Sequence, residues 1–296
     1  MKLLIETLTS GAEYLAKRGV EDARLNMEHL LAHVLGCRRL DLYLRFDQPL
    51  QESDLKPLRE LTKRRGEGEP LQHLLGTVEF HGLEFISDER ALVPRPETEH
   101  LVEMLVKKFS ETPPARLLDM GTGSGCIGIS LAKAWPKAEV TLADISEDAL
   151  ELARFNAERL LPPTQNVRLF RSDLFEKITG SFDLIVANLP YIPKEEIATL
   201  SREVRRDPMS ALNGGASGLE VVVRFVDDCA AHLSENGWIA LELGHDQSAR
   251  VAERLGKADF RDIQIAADLA GIGRFVLARG PLKPEPSPSS PLTVDP

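Results

Sequence analysis

Along residues 1–74 the apolar positions recur at helical spacing. Leu4, Leu8, Tyr14 and Leu15 form one set; Leu25, His29, Leu30, His33 and Val34 form a second, with Asn26 and Glu28 pointing outward. A third helix opens at Asp54-Leu55-Lys56-Pro57, with the proline in its first turn. It gathers Leu55, Leu58 and Leu61 on one side and closes on Lys63-Arg64-Arg65, a cationic end suited to solvent and to the helix dipole. Gly66-Glu67-Gly68-Glu69-Pro70 breaks it. The pattern then changes to alternation from Thr77 to Ile86 about His81-Gly82, which predicts a hairpin. Residues 75–92 therefore read as a linker between a helical domain, 1–74, and a second, larger domain.

From Pro96 onward helical and strand patterns take turns. Helices are expected over 97–108, 125–134, 147–160, 218–234 and 247–257. Strands are expected at Arg116–Met120, Val140–Ala143, Val167–Arg171, Phe182–Ala187 and Trp238–Leu243. Ile263–Ala267 and Arg274–Ala278 close the domain as an antiparallel pair. This alternation predicts an α/β fold, a doubly wound sheet covered on both faces, over residues 93–280. Residues 281–296 hold six prolines and three serines, too little apolar surface to fold, and a disordered tail is expected.

Charge and cysteine usage narrow the function classes. Among 296 residues, 46 acidic against 36 basic side chains leave a net charge of −10. That balance argues against sequence-independent binding to a nucleic-acid backbone, which needs clustered cations. Cys37, Cys126 and Cys229 stand far apart, so neither a disulfide framework nor a thiolate metal site is expected, and a reducing, cytoplasmic setting fits. No apolar run approaches the ~18 residues of a membrane span, and the opening run is too short for a signal peptide. His29 and His33 lie one turn apart without the glutamate of a zinc-protease helix, and Ser124 is outside a G-x-S-x-G frame. No metal is expected.

Two strand ends carry the candidate chemistry. Leu117-Leu118-Asp119-Met120 runs into Gly121-Thr122-Gly123-Ser124-Gly125, a strand, a glycine turn and a helix start, where open α/β sheets bind ligands. Asp119 is expected to point into that crevice, suited to a cationic amine. Asp144 ends the next strand, where it can take two ribose hydroxyls, and Asp173 ends the third, within reach of an adenine edge. Three carboxylates at successive strand ends suit a nucleoside bearing a cationic amino acid, S-adenosylmethionine, better than a pyrophosphate. The rival is a nicotinamide dinucleotide oxidoreductase, because Gly123 to Gly128 also spells G-x-G-x-x-G with Asp144 about 20 residues on.

The second strand end is Asn188-Leu189-Pro190-Tyr191. An amide or aromatic amine has a delocalised lone pair and attacks a sulfonium poorly. Two acceptors on its N–H groups fix its plane, aim it and favour the positive charge that develops. The Asn188 side-chain oxygen and the Leu189 carbonyl can be those acceptors. Pro190 keeps Leu189 extended, and Tyr191 can lie against the flat group. No general base is required, because the methylated nitrogen is acidic enough to lose its proton afterwards.

These residues, with Glu69-Pro70-Leu71-Gln72-His73-Leu74-Leu75-Gly76, Phe80-His81-Gly82, Val93-Pro94-Arg95-Pro96-Glu97-Thr98-Glu99, Asp207-Pro208 and Ala211-Leu212-Asn213-Gly214-Gly215, carry a resemblance. From about residue 20 to 280 the chain resembles the PrmC/HemK family of peptide-chain-release-factor glutamine N5-methyltransferases. The resemblance implies a helical substrate-recognition domain, a hairpin linker and a seven-stranded class I S-adenosylmethionine-dependent methyltransferase domain. It implies methylation of the glutamine amide in the Gly-Gly-Gln loop of class I release factors, without direct nucleic-acid or membrane contact, by a monomer. Carried over by position, Asp119, Gly121, Thr122, Gly123, Ser124, Gly125, Asp144, Asp173, Leu174 and Asn188 would bind the cofactor. Asn188, Leu189, Pro190, Tyr191 and Glu97 would hold the substrate glutamine. Leu189 stands where the family usually has proline, and Leu174 where some members carry an aromatic residue. Asn-Leu-Pro-Tyr also resembles adenine N6-methyltransferases acting on RNA or DNA, and a non-catalytic adaptor with this fold is the remaining alternative.

Overall fold

A computed structural model describes residues 2–282. The expected tail, 281–296, lies outside the described residues from position 283 on. The amino-terminal part packs helices α1 (Leu4–Lys17), α2 (Ala23–Leu35), α3 (Glu52–Gly66) and α4 (Leu71–Leu75) around Leu8, Leu15, Met27, Leu30, Leu31 and Leu58. Two very short strands, β1 (Lys2–Leu3) and β2 (Pro49–Leu50), pair antiparallel and close this bundle. Neither shows in the hydrophobic pattern, being only two residues long.

Three expectations fail here for one reason. Asn26 and Glu28 are buried, not outward, while Leu25 is exposed. Arg65, expected in solvent, is only 5% exposed. These polar groups go inside because each finds a partner. Arg65 Nε donates to Asn26 Oδ1 at 2.7 Å, and Glu28 accepts from Arg39 at 2.8 Å and from the Tyr43 hydroxyl at 2.8 Å. A buried charge is tolerated when paired and hydrogen-bonded. α3 also begins two residues early, at Glu52, with the Gln51 N–H donating to Asp54 at 3.0 Å, so Pro57 sits beyond the first turn.

The hairpin is β3 (Thr77–Phe80) and β4 (Leu83–Ile86), turning at His81 and Gly82, both with positive φ. It leads to α5 (Pro96–Lys108) and then to β5 (Arg116–Met120), α6 (Cys126–Ala134), β6 (Glu139–Asp144), α7 (Glu147–Leu160), β7 (Val167–Arg171) and β8 (Phe182–Asn188). A short α8 (Met209–Leu212) precedes α9 (Glu220–Cys229), β9 (Leu233–Glu242), α10 (Ser248–Lys257), β10 (Arg261–Ala267) and β11 (Gly273–Arg279). The sheet order is β10-β11-β9-β8-β5-β6-β7. β11 alone runs against its neighbours. The seven-stranded, helix-covered sheet is the fold the alternating pattern predicts.

Strand β5 shows how the sequence builds it. Leu117 joins the core under α5 and α6, and Leu118 the opposite core under α9 and α10, as period-two alternation requires. The helix expected over 218–234 stops at Cys229, and β9 starts five residues before the expected Trp238 because Leu233 pairs with Phe182 across an irregular register. The order reverses between β5 and β8, so their carboxyl ends flank the crevice such sheets leave for ligands.

Candidate active site

The crevice encloses about 300 Å³ at the carboxyl ends of β5, β6 and β8. Its floor is the turn after β5. Gly121 and Thr122 both donate their N–H to the Ala143 carbonyl, at 2.8 and 3.0 Å, which folds the chain back under the strand ends. Gly121, Gly123 and Gly125 all take positive φ, a conformation costly for any residue with a Cβ. Gly128 is required by space: a Cβ there would come within 2.3 Å of Leu142 and 2.9 Å of Asp119 Oδ2.

Asp119 does not face the crevice. It is fully buried behind the turn, where Oδ2 accepts from Thr122 Oγ1 at 2.6 Å and from the Gly128 N–H at 2.8 Å. Burial outweighs these bonds and pushes its carboxyl up to about 6. Its place is to brace the glycine turn, and the expected contact with a cationic amine is not available from this position. Asp144, at the end of β6, does line the crevice. Its two oxygens accept from the Gly123 and Ser146 N–H groups, each at 2.9 Å, and burial raises its pKa.

Asp173 and Leu174 form the next part of the wall. They lie two and three residues past the end of β7, not at its last position. Asp173 pairs with Arg224 of α9 at 3.0 Å. Leu174 is held at φ 47° by the Ser172 hydroxyl, which donates to its carbonyl at 2.7 Å. Gly121, Thr122, Gly123 and Ser124 line the crevice, whereas Gly125 lies behind them.

At the opposite wall stand Asn188, Leu189 and Pro190. Asn188 is the last residue of β8 and donates from Nδ2 to Thr98 Oγ1 at 3.1 Å. Tyr191 is not on this wall. Its ring is turned against Gly244, its carbonyl accepts from Gln247 Nε2 at 2.9 Å, and burial pushes its phenol up to about 12. Glu97 is likewise off the wall; it faces Tyr191, Glu242 and Arg274 from the first turn of α5.

Sequence reasoning gives four side chains no role, although Arg95, Thr98 and Asp207 lie in stretches that carry the resemblance. Thr98, one residue beyond Glu97, is buried against Asn188. Glu242 ends β9, in register with Asn188, and is buried. Arg95 Nη2 donates to the buried Asp207 at 2.6 Å, and the Val93 N–H adds a second bond at 3.2 Å, tying the segment after β8 to the start of α5. Even with Arg95 beside it, burial pushes Asp207 up to about 6. The lone carboxylate inside the apolar run Trp238-Ile239-Ala240-Leu241-Glu242-Leu243 is the signal in the sequence that could have found Glu242.

Residues 6–76 match the family described as "PrmC N-terminal domain", and residues 97–215 match "Methyltransferase small domain". A release factor glutamine methyltransferase of Geobacter sulfurreducens is 42% identical over 90% of this chain and 93% of its own length. The chain belongs to the release factor glutamine methyltransferase family. Another member, from Rhodopirellula baltica, is 39% identical over 89% of this chain and 92% of its own. Among solved structures, a methyltransferase from Pyrococcus furiosus shares the fold, with TM-score 0.51 at 22% identity over 68% of this chain and 90% of that one. Membership in this family sets aside the oxidoreductase reading of the glycine turn. No helix among the described residues is long and apolar enough to cross a membrane.

Proposed function

We propose that this chain transfers a methyl group from S-adenosylmethionine to the side-chain amide nitrogen of the glutamine in the Gly-Gly-Gln loop of class I peptide chain release factors. The observation that carries the reading is Asn188, placed at the end of β8 on the crevice wall across from the glycine turn, in a chain of this family. The crevice fits the cofactor: the glycines at positions 121 and 123 leave its floor open to close backbone approach, and Asp144 and Asp173 offer carboxylates along one side. When bound, the cofactor supplies an electrophilic methyl on a sulfonium.

The protein's task is to place and polarise the amide. The glutamine nitrogen donates one N–H to Asn188 Oδ1 and the other to the Leu189 carbonyl, which lies just beyond the ladder pairing of β8 with β9. Both acceptors favour the positive charge that develops on nitrogen. Pro190 restricts Leu189 to extended backbone, so its carbonyl stays aimed without help from the leucine side chain. Such positioning can lower a barrier by up to about 7–11 kcal/mol. Asp144 and the backbone of the glycine turn hold the cofactor, and the helical bundle recognises the release factor away from its flexible loop. The enzyme acts in the cytoplasm as a monomer. A net charge of −10 favours this protein substrate over RNA.

Incubating the protein with S-adenosylmethionine and a release factor, followed by mass spectrometry of the Gly-Gly-Gln peptide, tests the reading. One methyl group on the glutamine is the expected result. Transfer to RNA in place of the peptide, or no transfer to either, overturns it.

A further inference from the structure

A carboxamide can show a binding site either its oxygen or its two N–H groups, and only the oxygen accepts a hydrogen bond. For Asn188 the neighbours inside the protein decide which. Its Nδ2 stands 3.1 Å from Thr98 Oγ1. Directly across the ladder, in register with Asn188, lies Glu242, 2% exposed, with Oε2 buried and meeting no donor among the described residues. Thr98 and Asn188 both favour the charged form of that carboxyl group through their side chains.

The Thr98 hydroxyl has one proton to give. A carboxylate can only accept, so an ionised Glu242 favours the Thr98 rotamer whose proton points toward it. Thr98 Oγ1 is then left to accept from Asn188 Nδ2, and Asn188 Oδ1 is left for the crevice. We propose that Thr98 and Glu242 are positioning residues which set the direction of this hydrogen-bond chain, from the Asn188 amide through the Thr98 hydroxyl to the Glu242 carboxylate, and so aim the Asn188 oxygen at the substrate amide. The inference rests on the reading of Asn188 as a substrate acceptor.

The same chain can run backwards. A protonated Glu242 donates a hydrogen bond to Thr98 Oγ1, the Thr98 hydroxyl rotates to donate its own hydrogen bond to Asn188 Oδ1, and the carboxamide turns its N–H groups into the crevice. There they oppose the N–H groups of the substrate. The groups facing Glu242 are Glu97 from α5, which resists its ionisation, and Arg274 from β11, which favours it. The Tyr191 phenol and the Cys126 thiol also face it, and burial pushes each up to about 12, so both are neutral near pH 7. Burial dominates the balance and pushes Glu242 up to about 7, so the reversal falls within the working range.

The test is steady-state methylation of a purified release factor by the full chain and its Thr98→Val, Thr98→Ser, Glu242→Gln and Asn188→Ala variants, between pH 6 and 9. Cofactor affinity by calorimetry and circular dichroism accompany each variant. Thr98→Val and Glu242→Gln should lose about 10- to 100-fold in kcat, the range for groups that orient a functional ligand, with cofactor Kd unchanged. Thr98→Ser keeps the hydroxyl and should recover most of the loss. The native enzyme should lose activity below about pH 7, and Glu242→Gln should lack that acid limb. The pH dependence of its melting temperature should shrink as well, a readout independent of turnover. If Glu242→Gln does not fold, the Thr98 pair and the native pH profile decide. Full activity in Thr98→Val with Asn188→Ala inactive overturns the inference alone. Full activity in Asn188→Ala overturns the reading of Asn188 beneath it.

Discussion

The two ends of the crevice are built in different ways. The cofactor end is made of main chain: a turn of positive-φ glycines folded under Ala143, with Asp144 accepting from the Gly123 N–H. Its floor comes from one strand–turn–helix unit, and its side from the ends of the next two strands in the chain. The amide end is made of side chains from distant elements. Asn188 meets Thr98 across 90 residues of sequence, and Arg95 meets Asp207 across 112. A backbone cradle is local and tolerates change in most of its side chains. A side-chain cluster depends on several elements arriving together, and one substitution can disable it.

The largest expected effect lies at the amide end. Asn188→Ala should lower kcat by about 10²–10³, the usual loss for one preorganised electrostatic partner, while cofactor affinity measured by calorimetry stays near native. A loss confined to cofactor affinity would erase the distinction between the ends. Next comes Asp144→Ala, which should weaken cofactor binding by about 1.5–3 kcal/mol, or about 10- to 150-fold in Kd. Unchanged Kd would mean that the glycine turn holds the cofactor without this carboxylate.

The pH response should be smaller and should separate stability from activity. Burial pushes Glu242 up to about 7 and Asp119 and Asp207 up to about 6, so each is protonated more readily in the folded than in the unfolded chain. Their contribution to stability is complete only below the unfolded values and is lost as pH rises through the folded ones. Lowering the pH from 8 to 6.5 should therefore stabilise the fold by about 1 kcal/mol, a rise in melting temperature of about 2–4 °C. Turnover should fall over the same interval. His29 and His73, whose burial disfavours their protonated forms, offset part of this gain from about pH 7 downward, as the unfolded imidazoles take up protons. A melting temperature that drops on going from pH 8 to 6.5 would contradict the buried carboxyl groups. The smallest effect is expected for Leu189→Pro, with turnover within about twofold of native, under 0.5 kcal/mol, because only the carbonyl of that residue is used. A large loss in a folded variant would show that the leucine side chain, buried beside Gly121, matters to the amide end.

Legibility in the sequence divides along the same line. The strands Arg116–Met120 and Val167–Arg171 and the helix over 147–160 coincide with the expected ranges, because short apolar runs and helical periodicity are local signals. The glycine turn was readable for the same reason. The position of Asp119 before the glycines is visible in the sequence and points it to the crevice, while the Thr122 hydroxyl and Gly128 N–H that turn it inward are a matter of packing. The buried face of α2 is not legible because no periodicity reports that Arg65 arrives to donate to the Asn26 amide and Arg39 to pair with Glu28. Thr98 and Glu242 look like ordinary members of a helix and a strand until the ladder sets Glu242 beside Asn188.

The segment between β8 and α9 leaves the crevice, reaches the helical bundle and comes back. Glu203 accepts from Arg65 of α3 at 2.6 Å, and Arg202 donates to the carbonyl of Arg18, just past α1. Asp207 is then fastened to Arg95, and Pro208 and Ala211 return to the crevice wall. Fifteen positions separate Asn188 from Glu203. The reach from bundle to reacting amide is thereby written into the chain as a covalent length, as a gauge block fixes the gap between two jaws. Adding or deleting residues between 192 and 202 would alter that gap without touching any group in the crevice, whereas the same change in the connection at 161–166 would leave it as it is.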